Sequence, residues 1–317
     1  MVREIRAPRL LAGRFSRAER IRQRAKIHLD DAALSDKTQV RYYHALRKVL
    51  PYVEKATSDD HLDICLCSWI RRMWRTGEPL LTIGDGLSAL AFFQPSTRRK
   101  VPHAWKLFSV WRKIEIPSRA PPLTWALVVS MAAFEWQHDH FEMAVILLLS
   151  FHCSLRTGEL LAVKAEDFHL GRKSGVLSLY NTKSGVRFNA NEAVSITNSL
   201  VLEMIRILID VRRANNLSAL PIWSRSPAQF RQRFKELCNI MKIDHHEIRP
   251  YSLRRGGATD YFQRTRSMEA TLVRGRWESS RVARLYISDA LSFLPSIKLS
   301  AHTQSFMAAY NFDSYTK

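Results

Sequence analysis

Residues 251–259 read Tyr251-Ser252-Leu253-Arg254-Arg255-Gly256-Gly257-Ala258-Thr259. An apolar turn follows, then Arg274-Gly275-Arg276-Trp277, and nine positions after that tryptophan stands Tyr286. Between Arg249 and Arg284 the chain has nine arginines and no lysine. Arginine carries a rigid, permanently charged fork that matches phosphate oxygens, whereas lysine offers a flexible point charge. An arginine at a helix start, an indole donor and a phenol at fixed spacing suit chemistry on a phosphodiester. The competing reading is a basic amphipathic surface whose Trp277 and Tyr286 are core packing, because a motif by itself is a hypothesis.

Working outward, the whole chain shares this charge. It has 317 residues, enough for two domains, and 46% hydrophobic residues, enough for a real core. The formal net charge is +20, spread along the chain rather than held in a tail. That balance favours a polyanionic partner, nucleic acid before an anionic membrane surface. The longest apolar run, Met143 to Phe151, is interrupted by Ser150 and falls far short of the ~20 residues a membrane span needs. The charged N-terminus shows no apolar signal core. Cys65, Cys67, Cys153 and Cys238 have neither metal-site spacing nor the pattern of a disulfide framework. These features together lead us to expect a soluble, intracellular chain in a reducing compartment, with a nucleic acid rather than a membrane as its partner.

Residues 1–34 form a basic N-terminal arm, with nine Lys/Arg against two Glu over residues 1–29. It either follows a phosphate backbone or is a solvated tail. Residues 35–115 predict a small all-α domain of four helices. The first starts at Ser35/Asp36 and carries Val40, Tyr43, Leu46, Val49 and Val53, with Pro51 expected to kink or restart it. The second starts at Asp59/Asp60, the third runs from Pro79 to Phe93 despite Gly84 and Gly86, and the fourth follows Pro102. The helical spacing of Trp105, Phe108 and Trp111 reads as core rather than as base-stacking groups. Residues 116–122, with Pro121-Pro122, read as a linker.

Residues 123–317 predict a second domain. Two helices, Trp125 to Trp136 and His140 to Cys153, come first, the second apolar on nearly all sides and so the buried centre. Arg156 follows it directly, with a backbone anchored by that helix and a side chain able to face a ligand. Glu159, three positions on, can hold the guanidinium in place, although a helix-start ion pair is also an ordinary surface feature. From Gly175 the period changes to two. Val176 to Tyr180 alternates, and Phe188 to Ile196 offers a second and a third short strand, a small antiparallel hairpin with Lys183 near its tip.

Arg156 with Glu159, Lys183, Leu253-Arg254 followed by Ala258-Thr259, Trp277 and Tyr286 occur in one order. This set resembles the catalytic domain of the tyrosine recombinases, the phage-integrase-like enzymes that exchange DNA strands. The motifs cover roughly residues 122 to 290, and the four-helix segment resembles that family's core-binding (SAM-like) domain more loosely. The resemblance implies a mainly α fold with a small antiparallel sheet, double-stranded DNA as partner, and assembly into dimers and tetramers on DNA. It also implies a metal-free, cofactor-free mechanism. Tyr286 attacks a phosphodiester to form a 3′-phosphotyrosyl bond, Lys183 protonates the leaving 5′-oxygen, and Arg156 and Arg254 clamp the non-bridging oxygens. Trp277 and Tyr251 complete the cradle and Glu159 orients the clamp. Tyr251 departs from the pattern, since the family most often has histidine there. A free tyrosine, with a pKa of ~10, is a poor base near neutrality. His245 and His246 lie just upstream and read as loop residues.

Three functions stay open on the sequence: an active recombinase or integrase, possibly of mobile-element origin, a non-catalytic DNA-binding protein of the same fold, and a type IB topoisomerase. The apolar tail residues Ile287, Leu291, Phe293 and Leu294, ended by Pro295, and then Phe306, Met307, Tyr310 and Phe312, cannot be buried by an isolated segment of this size. The resemblance leads us to expect them on a neighbouring protomer.

Overall fold

The computed structural model describes residues 16–25, 33–115, 118–180, 182, 191–243, 247–281, 283, 284, 287, 290 and 299–312. Lys183, His245, His246, Tyr286 and residues 291–298 lie outside the described residues. The chain divides into two compact units, Met1–Ser118 and Arg119–Lys317.

Among the described residues the first unit contains helices and no strand. Its elements are α1 (Arg17–Arg24), α2 (Asp36–Val53), α3 (Asp59–Arg75), α4 (Leu80–Phe93), α5 (Thr97–Lys100) and α6 (Pro102–Ile114). Ser35 and Ser58 begin α2 and α3 because each hydroxyl accepts a backbone N–H from the first turn, satisfying a donor that the helix cannot. Pro51 was expected to kink or restart α2. Instead the helix continues through it and ends two residues later at Val53. Helix α6 has no capping side chain of its own. The buried Asp63 of α3 caps it, accepting from the backbone N–H groups of His103 (2.9 Å) and Ala104 (2.8 Å). The four-residue α5 was not anticipated, because one helical turn carries no readable period. Gly86 weakens α4 in propensity but lets Trp69 lie against its backbone, where a Cβ would collide with the indole. Trp111 is core, as its spacing predicted, together with Trp69, Val49, Leu66, Ile83, Leu87 and Ala104. Trp105 and Phe108 are partly buried against that cluster.

The second unit is built around one helix. Its elements are α7 (Trp125–Gln137), α8 (Phe141–His152), α9 (Thr157–Leu160), β1 (Phe168–Leu170), β2 (Gly175–Leu179), β3 (Glu192–Ile196), α10 (Ser199–Ala214), α11 (Pro227–Ile240), α12 (Tyr251–Thr265), α13 (Met268–Gly275) and α14 (Ala301–Ala309). Every residue of α8 from Met143 to His152 is buried, and α7, α10 and α12 pack on it. The strands form one antiparallel sheet in the order β1-β2-β3, with Leu177 opposite both Phe168 and Val194. The fold is therefore mainly α with a small antiparallel sheet, as expected. Strand β1 was missed, since three residues cannot display an alternation, and the second predicted strand is confined to Glu192–Ile196 among the described residues.

Helix α12 crosses α8 at very short range. A Cβ on Gly257 would overlap the carbonyl oxygen of Phe151, and one on Gly256 would overlap that of Leu123. Two successive glycines thus let one backbone lie directly on another. The same crossing holds the start of the unit: Leu123 N–H donates to the Ser252 carbonyl (3.3 Å), and Arg255 donates to the Ala120 carbonyl (2.5 Å). Ala120 to Leu123 are buried.

The tail differs from expectation. Phe306 and Phe312 are buried in the core of their own unit, with Tyr310 packed against it. Phe306 and Tyr310 pack against Phe134 of α7 with ring centroids 5.3 and 4.9 Å away, the tyrosine edge to face. The Thr303 hydroxyl donates to the Met241 carbonyl. The neighbour expected to cover these side chains is replaced by α7 and the end of α11, because an apolar face close at hand in the same chain needs no second molecule.

Two stability measurements test this packing. Gly257→Ala should lower unfolding free energy in urea by about 3 kcal/mol, the upper range for overpacking, because the obstructing atom is backbone and cannot rotate away. Phe306→Ala should cost about 3 kcal/mol, and do so in dilute, monomeric protein. A loss that appears only on self-association would instead return the tail to a neighbour.

Candidate active site

The buried end of α8 organises the site. The last carbonyls of a helix have no intrahelical donors and carry the negative end of its dipole. Here the chain turns sharply through Ser154, which has a left-handed backbone (φ 47°), and three successive carbonyls each receive an arginine. His152 C=O accepts from Arg274 Nε (3.1 Å) and Nη2 (2.5 Å). Cys153 C=O accepts a long bond from Arg276 Nη1 (3.4 Å), and Ser154 C=O accepts from Arg254 Nη1 (2.5 Å). Arg254, Arg255 and Arg274 are buried, and only 5% of the Arg276 side chain is exposed. The reading of this stretch as a row of phosphate-seeking arginines is corrected to that extent. Arg254, Arg274 and Arg276 reach inward because a buried helix end demands donors before any ligand does, and Arg255 reaches inward to the Ala120 carbonyl.

Beyond this cap the predicted residues converge. Arg156 Nη1 donates to Glu159 Oε1 (2.6 Å), and the Arg156 backbone N–H to Glu159 Oε2 (2.9 Å). Arg156 Nη2 also points at the Arg276 carbonyl (3.5 Å). Its side chain keeps 30% of its exposure while Glu159 keeps 7%, so the carboxylate is the buried brace and the guanidinium the accessible group. Burial pushes the Glu159 carboxyl up, but Arg276 and the two bonds from Arg156 outweigh it and hold the pKa below its ordinary value. Arg254 is fixed by the Ser154 and Gly275 carbonyls (2.5 and 2.6 Å) and lies 4.9 Å from the Trp277 ring centroid, a cation–π contact. Burial, then Arg276 and Arg156, push its pKa down to about 10, so it stays charged at neutral pH. Tyr251 begins α12, half-buried, one turn before Arg254 and close enough to favour its charge.

Arg156, Glu159, Tyr251, Arg254 and Trp277 are therefore brought together, while Lys183 and Tyr286 lie outside the described residues. Ala283 and Ile287, which flank Tyr286 in sequence, are buried. Sequence reading missed two participants. Arg276 was quoted in the motif but given no task, and its Nη2 grips Glu159 Oε2 at 2.6 Å. Glu192 at the start of β3, 3.5 Å from Arg276 Nε, had no sequence signal at all. Among the described residues no cluster of His, Cys, Asp and Glu could hold a metal ion, and no helix is long and apolar enough to cross a membrane. A cavity of about 460 Å³ between α7, α8, α10 and α11 shares no residue with the site. Its buried charges are already paired, Glu135 with Arg233 and Glu142 with Arg212.

Solved structures share this architecture. The Tn1549 transposon integrase, in complex with circular intermediate DNA, superposes with a TM-score of 0.59 at 16% identity, covering 87% of this chain and 96% of that one. The same integrase with transposon right end DNA gives 0.57 at 14%, covering 88% and 96%. A lambda integrase dimer bound to a core site gives 0.55 at 13%, covering 86% and 95%. The chain has the tyrosine recombinase fold. No protein-family model matches the sequence, and no curated protein does.

His152 gives this end of the tyrosine recombinase-like unit a pH dependence. Burial, then Arg274 and Arg264, push its imidazole from 6.5 down to about 3. The neutral ring accepts the Thr197 N–H through Nε2 (3.2 Å). Between those two pH values the unfolded chain binds a proton that the folded chain refuses. Stability from this group is therefore full above pH 6.5 and falls toward pH 3, by about 1.4 kcal/mol per unit. His152→Gln, whose amide oxygen can still accept from Thr197, should flatten that part of the urea-midpoint profile relative to wild type.

Proposed function

We propose that this chain cuts and rejoins duplex DNA as a site-specific recombinase or integrase, through a 3′-phosphotyrosyl intermediate. The observation that carries the reading is the accessible Arg156 guanidinium. It is braced by a buried carboxylate and stands beside a second, stacked and immobilised guanidinium, Arg254. Preorganised donors of this kind stabilise charge as it builds in a transition state, since they need not reorient when it appears. Arg156 and Arg254 bind the non-bridging oxygens, with the Trp277 Nε1–H and the Tyr251 hydroxyl as further donors and Glu159 as orienter. Tyr286 loses its phenol proton to solvent water and attacks phosphorus. The bond to the 5′-oxygen breaks, and that oxygen takes a proton from Lys183. The energy of the ester is kept in the phosphotyrosyl bond, so a second 5′-hydroxyl can reverse the step.

In the same reading the helical unit at residues 35–115 is the core-binding domain, the basic arm at 1–34 follows the DNA backbone, 116–122 is the linker and 123–317 the catalytic domain. The protein assembles on its site as dimers and then tetramers and works wherever its DNA lies, nucleus or nucleoid. A mobile-element origin fits this activity. A second reading, a DNA-binding protein that keeps the fold without strand exchange, draws on Tyr251, a poor base where the resembled family most often has histidine.

A nicked duplex that traps the covalent intermediate separates the two. Wild type should form a protein–DNA adduct that survives denaturing electrophoresis. Tyr286→Phe should bind the duplex equally well and form none, and Arg156→Ala should slow adduct formation on the order of 10²–10³-fold. Wild-type binding without adduct would select the non-catalytic reading.

A further inference from the structure

Arg276 occupies an unusual place. Its backbone is left-handed (φ 54°, ψ 48°), closing the end of α13, a conformation that glycine adopts freely and a long side chain does not. The side chain nonetheless runs inward, nine-tenths buried, to a junction of three segments. Nη2 grips Glu159 Oε2 (2.6 Å), Nη1 reaches the Cys153 carbonyl (3.4 Å), and Nε faces Glu192 Oε2 (3.5 Å). Neither Arg276 Nε nor Glu192 Oε2 has a hydrogen bond among the described residues. Glu192 pairs with Leu179 at the last register position of the β2–β3 ladder, the base of the segment that carries Lys183.

The charges around this junction decide what Arg276 does. Glu159 is shared by two guanidiniums, Arg156 and Arg276, each 2.6 Å from one of its oxygens. Without Arg276 that carboxylate and Arg156 are left as a one-to-one pair, so the group that orients Arg156 also offsets its charge. An anion would then meet a correctly pointed arginine whose charge is largely offset. Inside a protein, where screening is weak, that difference is large.

The geometry points to Arg276 as a positioning residue that neutralises the Glu159 brace, so that Arg156 keeps its orientation and still presents a positive charge to a DNA phosphate. It also ties the base of the Lys183 hairpin to that brace. This deepens the proposed function and rests on its assignment of Arg156 to a phosphate.

Arg276→Gly is the informative variant, because glycine keeps the left-handed backbone and deletes only the side chain. Adduct formation on the nicked duplex should slow on the order of 10²-fold, and the salt slope of duplex binding should lose about 0.9, one phosphate contact. The decisive comparison adds Glu159→Gln. The amide oxygen can still accept one of the two Arg156 bonds but carries no charge, so the double variant should regain the lost salt slope and part of the rate. A merely structural arginine predicts the opposite, a double variant no better than the single one. Arg276→Lys, which keeps the charge and loses the fork, should retain the salt slope, and it guards against a glycine variant that does not fold. An unchanged slope in Arg276→Gly, or no recovery on adding Glu159→Gln, overturns the inference. Failure of wild type to form an adduct sinks the phosphotyrosyl chemistry alone, and the binding slopes then decide the role of Arg276.

Discussion

The rest of the second unit depends on how the buried end of α8 is satisfied. A helix without exposed residues over its last three turns cannot pass its terminal carbonyls to water, and leaving them unpaired would cost more than most packing contacts return. Three arginines from α12 and the α13 turn supply the donors, one to each of the carbonyls of His152, Cys153 and Ser154. That arrangement fixes where α12 and α13 lie. It also fixes the turn from which Arg156 emerges.

Structural and chemical roles are consequently shared by the same stretch. Arg254 is anchored by two carbonyls and by the face of Trp277, which costs it mobility but gives a guanidinium whose direction is set in advance. Arg156 has the complementary character, with its backbone pinned by Glu159 and its guanidinium accessible. The glycine pair at 256 and 257 belongs to the same design. Only by letting α12 touch the α8 backbone can the arginine two positions earlier reach the carbonyl of Ser154. A protein that needs charge at an internal site must make the arginine's own desolvation tolerable, and carbonyl dipoles at a helix end do so without cancelling the charge, as a carboxylate would.

Glu159 is the exception, a carboxylate placed among guanidiniums. It pins the Arg156 backbone and side chain together, accepting one bond at each carboxylate oxygen. Its negative charge is the drawback, and Arg276 stands where that charge can be offset. Orientation and charge are therefore supplied by different residues.

Much of the architecture was legible from local chemistry. Ser35 marks a helix start because a hydroxyl beside a helix start satisfies its N–H groups regardless of what surrounds it. The apolar run at 143–151, broken only by Ser150, marks a buried helix because no face of it could be left in water. The order of Arg156, Glu159, Arg254 and Trp277 was likewise readable, and the fold brings them together. What the sequence could not resolve was the direction of each arginine, since the same side chain caps a helix end or binds a phosphate, and only the position of α8 tells which. Nor could it show that Arg276 and Glu192 belong to the site, that Phe168–Leu170 pairs with β2, or that Phe306 finds Phe134 in its own chain. Each of these rests on a contact between residues far apart in sequence, decided by packing and not by any local preference.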